Sequence, residues 1–249
     1  MTPLDITEGI HVSVLLHESI DSLSLTEGGI FLDGTLGAGG HSALVAERFH
    51  DAVEIIGLDR DPDALRRSEE RLRTLTTTAY FRQESFRNLD QVLEALGMKK
   101  VNGILFDLGI SSDQLDAEGR GFSFQRDEAL SMNMDPSDAS VSAEMILNTW
   151  DEESIELILR GFGEEKLSRK IAREIVNRRE TKPFKTTFDL LEAVGAATPA
   201  SHKRFKIHPA TRTFQALRIA VNGELAALEE GLTKGFEALD THGRFAVIS

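Results

Sequence analysis

Apolar residues in this chain fall into short runs that end on an acid, with stretches of helical spacing between them. After Gly29, the run Ile30-Phe-Leu32 reads as a buried strand that stops at Asp33. A turn holding Gly34, Gly37, Gly39 and Gly40 follows, and His41–Phe49 has the apolar spacing of a helix. A second run, Val53–Leu58, ends in Asp59, eighteen residues past His41. Runs at Ala79–Gln83, Gly103–Asp107 and Gly243–Ser249 predict three more strands. Helices are predicted at Pro62–Thr74, where Asp61 can cap and Pro62 takes the first helical position, and at Arg87–Leu96. Strands alternating with helices predict an α/β fold, a doubly wound and mostly parallel sheet covered on both faces.

After Asp107 the alternation breaks. Helical patterns at Ser140–Trp150, Glu152–Leu159, Glu164–Arg179 and Thr187–Ala197 take its place, and a long helix from Thr211 to about Leu239 leads into the last strand. The organisation expected is a core of residues 1–115 and 211–249, with a helical insertion over 116–210 hung on the carboxyl edge of the sheet, where such folds bind ligands.

Charge changes this picture more than composition does. The 249 residues suffice for one large domain or one carrying an insertion, and the hydrophobic fraction of 41% is that of an ordinary soluble protein. The absence of cysteine excludes disulfides, thiolate metal sites and a Cys nucleophile. No apolar run has membrane-spanning length and the N-terminus lacks a signal-peptide pattern, so a cytoplasmic protein is expected. A net charge of −13 argues against a polyanionic partner until its distribution is considered. Arg160–Arg218 holds 14 Lys and Arg against 6 Asp and Glu, a local excess of 8, which leaves −21 for the rest. A basic face on an acidic body suits nucleic acid, although solvated helix faces give the same count.

The glycine turn is the strongest chemical signal. Glycines let backbone turn sharply and approach a ligand, and the following helix starts with free N–H groups aimed at it. Gly37-Ala-Gly39-Gly40 matches the dinucleotide fingerprint only in part, because Ser42 stands where the third glycine is expected. The Asp59 carboxylate is placed to accept hydrogen bonds from ribose hydroxyls. Asp33 and Asp107 end strands expected to be neighbours, and three acids in one crevice suit a cationic ligand better than a pyrophosphate. S-adenosylmethionine, with a sulfonium and an ammonium, meets that requirement. Phe86, after the third strand, is a candidate to pack against a planar base or into the core. Gly119–Gln125 combines Arg120, Phe122 and flexible backbone in a composition able to grip a nucleotide. His208 and Arg212 lie beside a helix start, and no second His or acid there has metal-ligand spacing, so no metal site is expected.

In order along the chain stand His11-Val-Ser-Val-Leu-Leu-His-Glu18, Asp33-Gly-Thr-Leu-Gly-Ala-Gly-Gly-His-Ser42, Asp59-Arg-Asp-Pro62, Asp107-Leu-Gly-Ile-Ser-Ser112, Arg120-Gly-Phe-Ser-Phe124, Met132-Asn-Met-Asp-Pro136, Gly163-Glu-Glu165 and His208-Pro-Ala-Thr-Arg-Thr-Phe-Gln-Ala-Leu-Arg218. With these motifs the chain resembles the bacterial small-subunit ribosomal RNA cytosine-N4 methyltransferases of the MraW type. The resemblance implies a class I S-adenosylmethionine-dependent methyltransferase with a Rossmann-like sheet and an inserted helical domain that recognises RNA. The substrate it implies is a cytidine in the decoding region of 16S ribosomal RNA. Cofactor contacts carried over by position fall on Gly39, Gly40, His41, Asp59, Phe86, Asp107 and Gln114, beside Asp33 and Gly37 from the turn itself.

The reaction implied is displacement at the sulfonium methyl by cytosine N4, a poor nucleophile that must be oriented by hydrogen-bond acceptors. Candidate acceptors are Asp107, Ser111, Ser112 and Asp113. Candidate RNA contacts are Arg120, Phe122, Arg169, Arg173, Arg178, Lys203, Arg204, His208 and Arg212. The partner expected is 16S ribosomal RNA or the small ribosomal subunit, with neither membrane nor DNA, and homodimer formation is left open. Family members continue beyond a strand like Phe245–Ser249 into further strands and a basic tail, so a truncated form of a longer protein is expected. Two other readings stand beside this one: a non-catalytic RNA- or ribosome-binding remnant, and a nicotinamide-dependent oxidoreductase, which Ser42 and the extra acids disfavour.

Overall fold

The computed structural model describes residues 13–111, 114–115, 118–138, 140–199 and 208–249. They form two compact units, Met1–Ser112 with Ala227–Ser249, and Asp113–Ala226. In the first, β1 (Gly29–Asp33), β2 (Val53–Asp59), β3 (Ala79–Gln83), β4 (Val101–Asp107) and β5 (Leu239–Ile248) make one sheet in the order β3-β2-β1-β4-β5, each neighbouring pair parallel. The order reverses between β1 and β4, which places the ligand crevice of a doubly wound fold at their carboxyl ends. Asp33 is in register with Gly57 and Leu105. Asp59 and Asp107 each lie two residues further along, about 7 Å beyond it at strand rise.

Both faces of this sheet are covered, as its near-continuous apolar runs require. Phe31 and Ile55 belong to one buried cluster, with Val45 of α2 (Gly40–Phe49). Their chain neighbours Leu32 and Ile56 belong to another, with Leu89 of α4 (Leu89–Ala95) and Phe106. Adjacent residues on opposite faces are the period-two signature of a strand. Asp61 caps α3 (Pro62–Leu72) as predicted, its Oδ1 accepting the Asp63 N–H at 3.0 Å. One helix is not predicted by the sequence pattern, α1 (Leu16–Leu23), whose buried Ile20 and Leu23 carry only a short amphipathic signal.

The second unit is helical over α5 (Ala143–Thr149), α6 (Glu152–Gly163), α7 (Ser168–Arg179), α8 (Thr187–Ala197) and α9 (Thr211–Asn222). The unbroken helix expected from Thr211 to Leu239 does not form. Gly223, at φ 58°, closes α9 in the left-handed conformation, and a new helix, α10 (Glu224–Ala238), begins. The helix expected to lead into the sheet is thus divided. α9 packs within the second unit against α6, where Gly163 sits so close to the Arg212 carbonyl and Ala216 that no side chain would fit.

The segment Met132–Pro136, which no sequence pattern explains, has a clear mechanical role here. Met132 is fully buried with φ 58°, a conformation costly for a side chain of its kind. Asn222 holds it there: Nδ2 donates to the Met132 carbonyl and Oδ1 accepts the Met134 N–H, both at 2.8 Å. Arg120 Nη2 donates to the carbonyls of Asn133 and Met134, also at 2.8 Å. Replacing Asn222 with Ala strands buried backbone groups, and we expect a loss of about 2 kcal/mol, seen as a calorimetric midpoint lower by several degrees. A midpoint within a degree of wild type would show that water replaces the amide at no cost.

Candidate functional site

The loop after β1 is braced from three sides within the first unit. Gly34 N–H donates to the Leu105 carbonyl and Leu36 N–H to that of Leu58, tying the loop to β4 and β2. Thr35 Oγ1 accepts the Asp107 N–H at 2.6 Å. From α3, Ser68 Oγ donates to the Gly37 carbonyl at 2.8 Å. Gly37 and Gly39 have φ of 53° and 71°, which explains glycine at both. A Cβ at Gly37 would meet nothing nearer than the Thr35 carbonyl oxygen at 3.9 Å, so the loop leaves room there for a ligand.

The three carboxylates converge but are not equivalent. Asp33 is 1% exposed, with Oδ2 accepting from Ser42 Oγ at 2.7 Å and Oδ1 from Thr35 N–H at 3.3 Å. Its carboxylate organises the loop from beneath rather than facing the crevice. Burial raises its pKa against the pull of His41, Ser42 and Thr35, and the charge of Asp107 adds to the rise. Asp59 is half-buried at the end of β2; Oδ2 accepts the Gly37 N–H and Oδ1 the Asp61 N–H, each at 2.8 Å. Each oxygen has a second lone pair for a ligand hydroxyl. Burial lifts Asp59 to about 6, opposed by those two N–H groups and helped by the charges of Asp61 and Asp33.

Other predicted residues fall in different places. Gly40 and His41 open α2 and are buried, and His41 Nε2–H donates to the Val14 carbonyl at 3.2 Å. Phe86 is half-buried and stacks on Phe106, ring centroids 4.3 Å apart, so its ring is built into the core behind the loop. Asp107 and Ser111 are half-buried after the apolar part of β4, whereas Ser112 and Asp113 lie outside the described residues. Gln114 is buried and belongs to the second unit.

The basic residues divide more sharply. Arg120 and Phe122 are turned inward, correcting the expectation that this pair grips a nucleotide: Phe122 is buried under the Arg120 guanidinium, whose Nη2 donates to the carbonyls of Asn133 and Met134. Arg178 is held by Glu174 and Glu192, both at 3.2 Å, and Arg212 Nη1 donates to the Glu164 carbonyl at 3.2 Å. Arg173 is exposed but pairs with Glu152 at 3.5 Å. Arg169 is exposed on α7, as are Lys166 just before that helix and Lys170 within it. Lys203 and Arg204 lie outside the described residues, and His208 is exposed.

The sequence matches the MraW methylase family over residues 8–249. The ribosomal RNA small subunit methyltransferase H of Brevibacillus brevis is 44% identical over 239 residues, covering 96% of this chain and 76% of that protein. The enzymes of the same name from Heliobacterium mobile and Synechococcus elongatus are each 46% identical, over 96% of this chain and 77% of theirs. The cofactor of such a methylase is S-adenosylmethionine, and the residues present fit it. The carboxylate of Asp59 can accept ribose hydroxyls, the glycine loop leaves room for the nucleoside, and Asp59 and Asp107 at the strand ends favour a cation.

Proposed function

Because the chain belongs to the MraW methylase family, we propose that it methylates small-subunit ribosomal RNA, at the N4 amino group of a cytidine in the 16S decoding region. The observation that carries the reading is the glycine loop tied at Gly37 to the Asp59 carboxylate, with Asp107 anchored to the same loop through Thr35. The names of the relatives support ribosomal RNA as the substrate, and the local basic excess of 8 over Arg160–Arg218 supports the second unit as its contact surface.

S-adenosylmethionine supplies an activated methyl group when bound. The remaining work falls to the chain's own residues. Asp59 holds the ribose and, through Gly37, the shape of the loop around it. Asp33, buried against Ser42 and Thr35, keeps that loop rigid. Asp107, with Ser111 four residues on, provides acceptor oxygens at the carboxyl end of β4 that orient the hydrogens of a weakly nucleophilic exocyclic amine. Ser112 and Asp113 are further candidates for that role. An N4 group inside a base pair is out of reach, so the target cytidine must be unpaired or turned out of its stack.

The test is transfer of a labelled methyl group to small-subunit RNA, followed by nucleoside analysis. Label in N4-methylcytidine is expected. Label confined to another nucleoside would overturn the site, and absence of cofactor binding by calorimetry at millimolar concentration, with folded protein, would overturn the enzyme.

A further inference from the structure

One exposed side chain in the second unit is held in a way that surface packing does not require. Phe124 stacks on His208, ring centroids 4.7 Å apart and planes 25° from parallel. Phe214, 4% exposed, meets Phe124 edge-on at 5.1 Å and 70°. The three rings therefore run from a buried anchor, through a half-buried ring, to an exposed imidazole. His208 is further fixed by the local backbone: Nδ1 accepts the Ala210 N–H at 3.2 Å, which puts the neutral ring's hydrogen on Nε2. One face of the imidazole is covered by Phe124, yet the residue as a whole is exposed. A planar ring backed by an anchored aromatic in an exposed residue has the makings of a stacking platform.

We propose that His208, backed by Phe124, stacks an unpaired base of the RNA substrate, with Nε2–H available to a base or phosphate oxygen. This rests on the RNA methyltransferase reading and adds to it a residue that reads base planarity rather than charge. The occupant is argued from the surroundings. His208 lies within the segment carrying the basic excess, and in the same unit Lys166, Arg169 and Lys170 are exposed without an ion pair among the described residues. Such cations attract phosphates without selecting bases, whereas a ring platform selects unstacked bases over duplex. The pair Arg120–Phe122, expected to grip a nucleotide but turned inward, is thus replaced, two residues on from Phe122, by Phe124, an aromatic that does reach the surface stack.

The experiment uses a single-stranded decoding-region oligonucleotide with a fluorescent purine analogue, titrated with the full chain at several salt concentrations. His208→Ala is expected to weaken binding about tenfold, the scale of losing one base–aromatic stack. The dependence of affinity on salt should keep its slope, because no phosphate contact is lost, and S-adenosylmethionine affinity should be unchanged. His208→Tyr should restore most of the affinity. Arg169→Ala should instead lower the salt slope. Wild-type RNA affinity in His208→Ala, or equal weakness in His208→Tyr, would overturn the stacking proposal while leaving methyl transfer intact. If the wild-type chain binds cofactor but no RNA, the substrate reading fails first. A changed melting midpoint in His208→Ala together with unchanged RNA affinity would assign the ring a packing role only.

Discussion

Replacing Asp59 with Ala is expected to weaken S-adenosylmethionine binding by at least about 100-fold, since hydrogen bonds to a charged group are each worth about 1.5–3 kcal/mol and more than one is lost. The size follows from a double duty. The carboxylate accepts from Gly37 and Asp61 in the free protein and offers its remaining lone pairs to the ribose. Asp59→Asn keeps the shape but turns one acceptor into a donor facing an N–H, and should fall between the two. Calorimetric titration measures the loss, and far-ultraviolet dichroism checks that the sheet persists. Equal affinity in the Ala variant would remove Asp59 from the site.

The same residue sets a pH window. Burial raises the Asp59 pKa from 3.8 to about 6 in the free protein, whereas ribose hydroxyls favour the ionised form. Binding therefore releases a proton below about pH 6. Affinity should fall as pH drops through that value, approaching tenfold per unit, and level off above it. Folding runs the other way for this group. A raised pKa means that its contribution to stability is present below about pH 4 and lost as pH rises through about 6. An affinity trend lost in Asp59→Ala, with the opposite stability trend reduced to what the raised pKa of Asp33 still contributes, would assign the window to Asp59.

Much of the sheet is legible from local sequence because its causes are local. Val53–Leu58 is apolar almost throughout, as a strand buried on both faces must be, and Asp59 marks where it leaves the core. The glycine loop is legible for the same reason: positive φ at Gly37 and Gly39 requires glycine whatever lies around it. The roles of Asp33, Arg120 and Phe122 are not local. Nothing within a few residues of Asp33 says that its carboxylate will be closed off by Ser42. Arg120 turns inward because the carbonyls of Asn133 and Met134, thirteen and fourteen residues away, are presented to it. Met132 can be held at positive φ only because Asn222, ninety residues on, supplies the amide. The break between α9 and α10 is different, since Asn222–Gly223 carries a readable stop signal inside an otherwise continuous helical pattern. Charge counting marks the basic segment but cannot separate Arg178, fixed between two glutamates, from Arg169, which faces water.

Gly34→Val is expected to cost about 3 kcal/mol or more, a large overpacking penalty, and to lower the melting midpoint by roughly 6–12 °C for a chain of this size. Gly34 has an ordinary backbone conformation, so the cost is steric. A Cβ there would lie 2.5 Å from Phe106 Cδ1, closer still to Cε1, and 3.0 Å from Phe86 Cβ. Neither ring can retreat. Phe106 is fully buried, stacked on Phe86 and met edge-on by Phe245 at 4.8 Å. Behind them, Gly231 of α10 is itself so close to Phe86 that a Cβ would stand 2.6 Å from its Cδ2. Two glycines thus clamp one pair of rings between the cofactor loop and the helix that closes the sheet. Gly97→Val is the control: φ is 70° but no atom lies within 4 Å of its Cβ, so the cost should be the modest backbone term of about 1–2 kcal/mol. Because Gly34 N–H also ties the loop to Leu105, Gly34→Val should weaken cofactor binding as well, while Gly97→Val should not. Equal melting midpoints for the two variants would mean that the ring pair yields, and that the rigidity ascribed to the loop has another source.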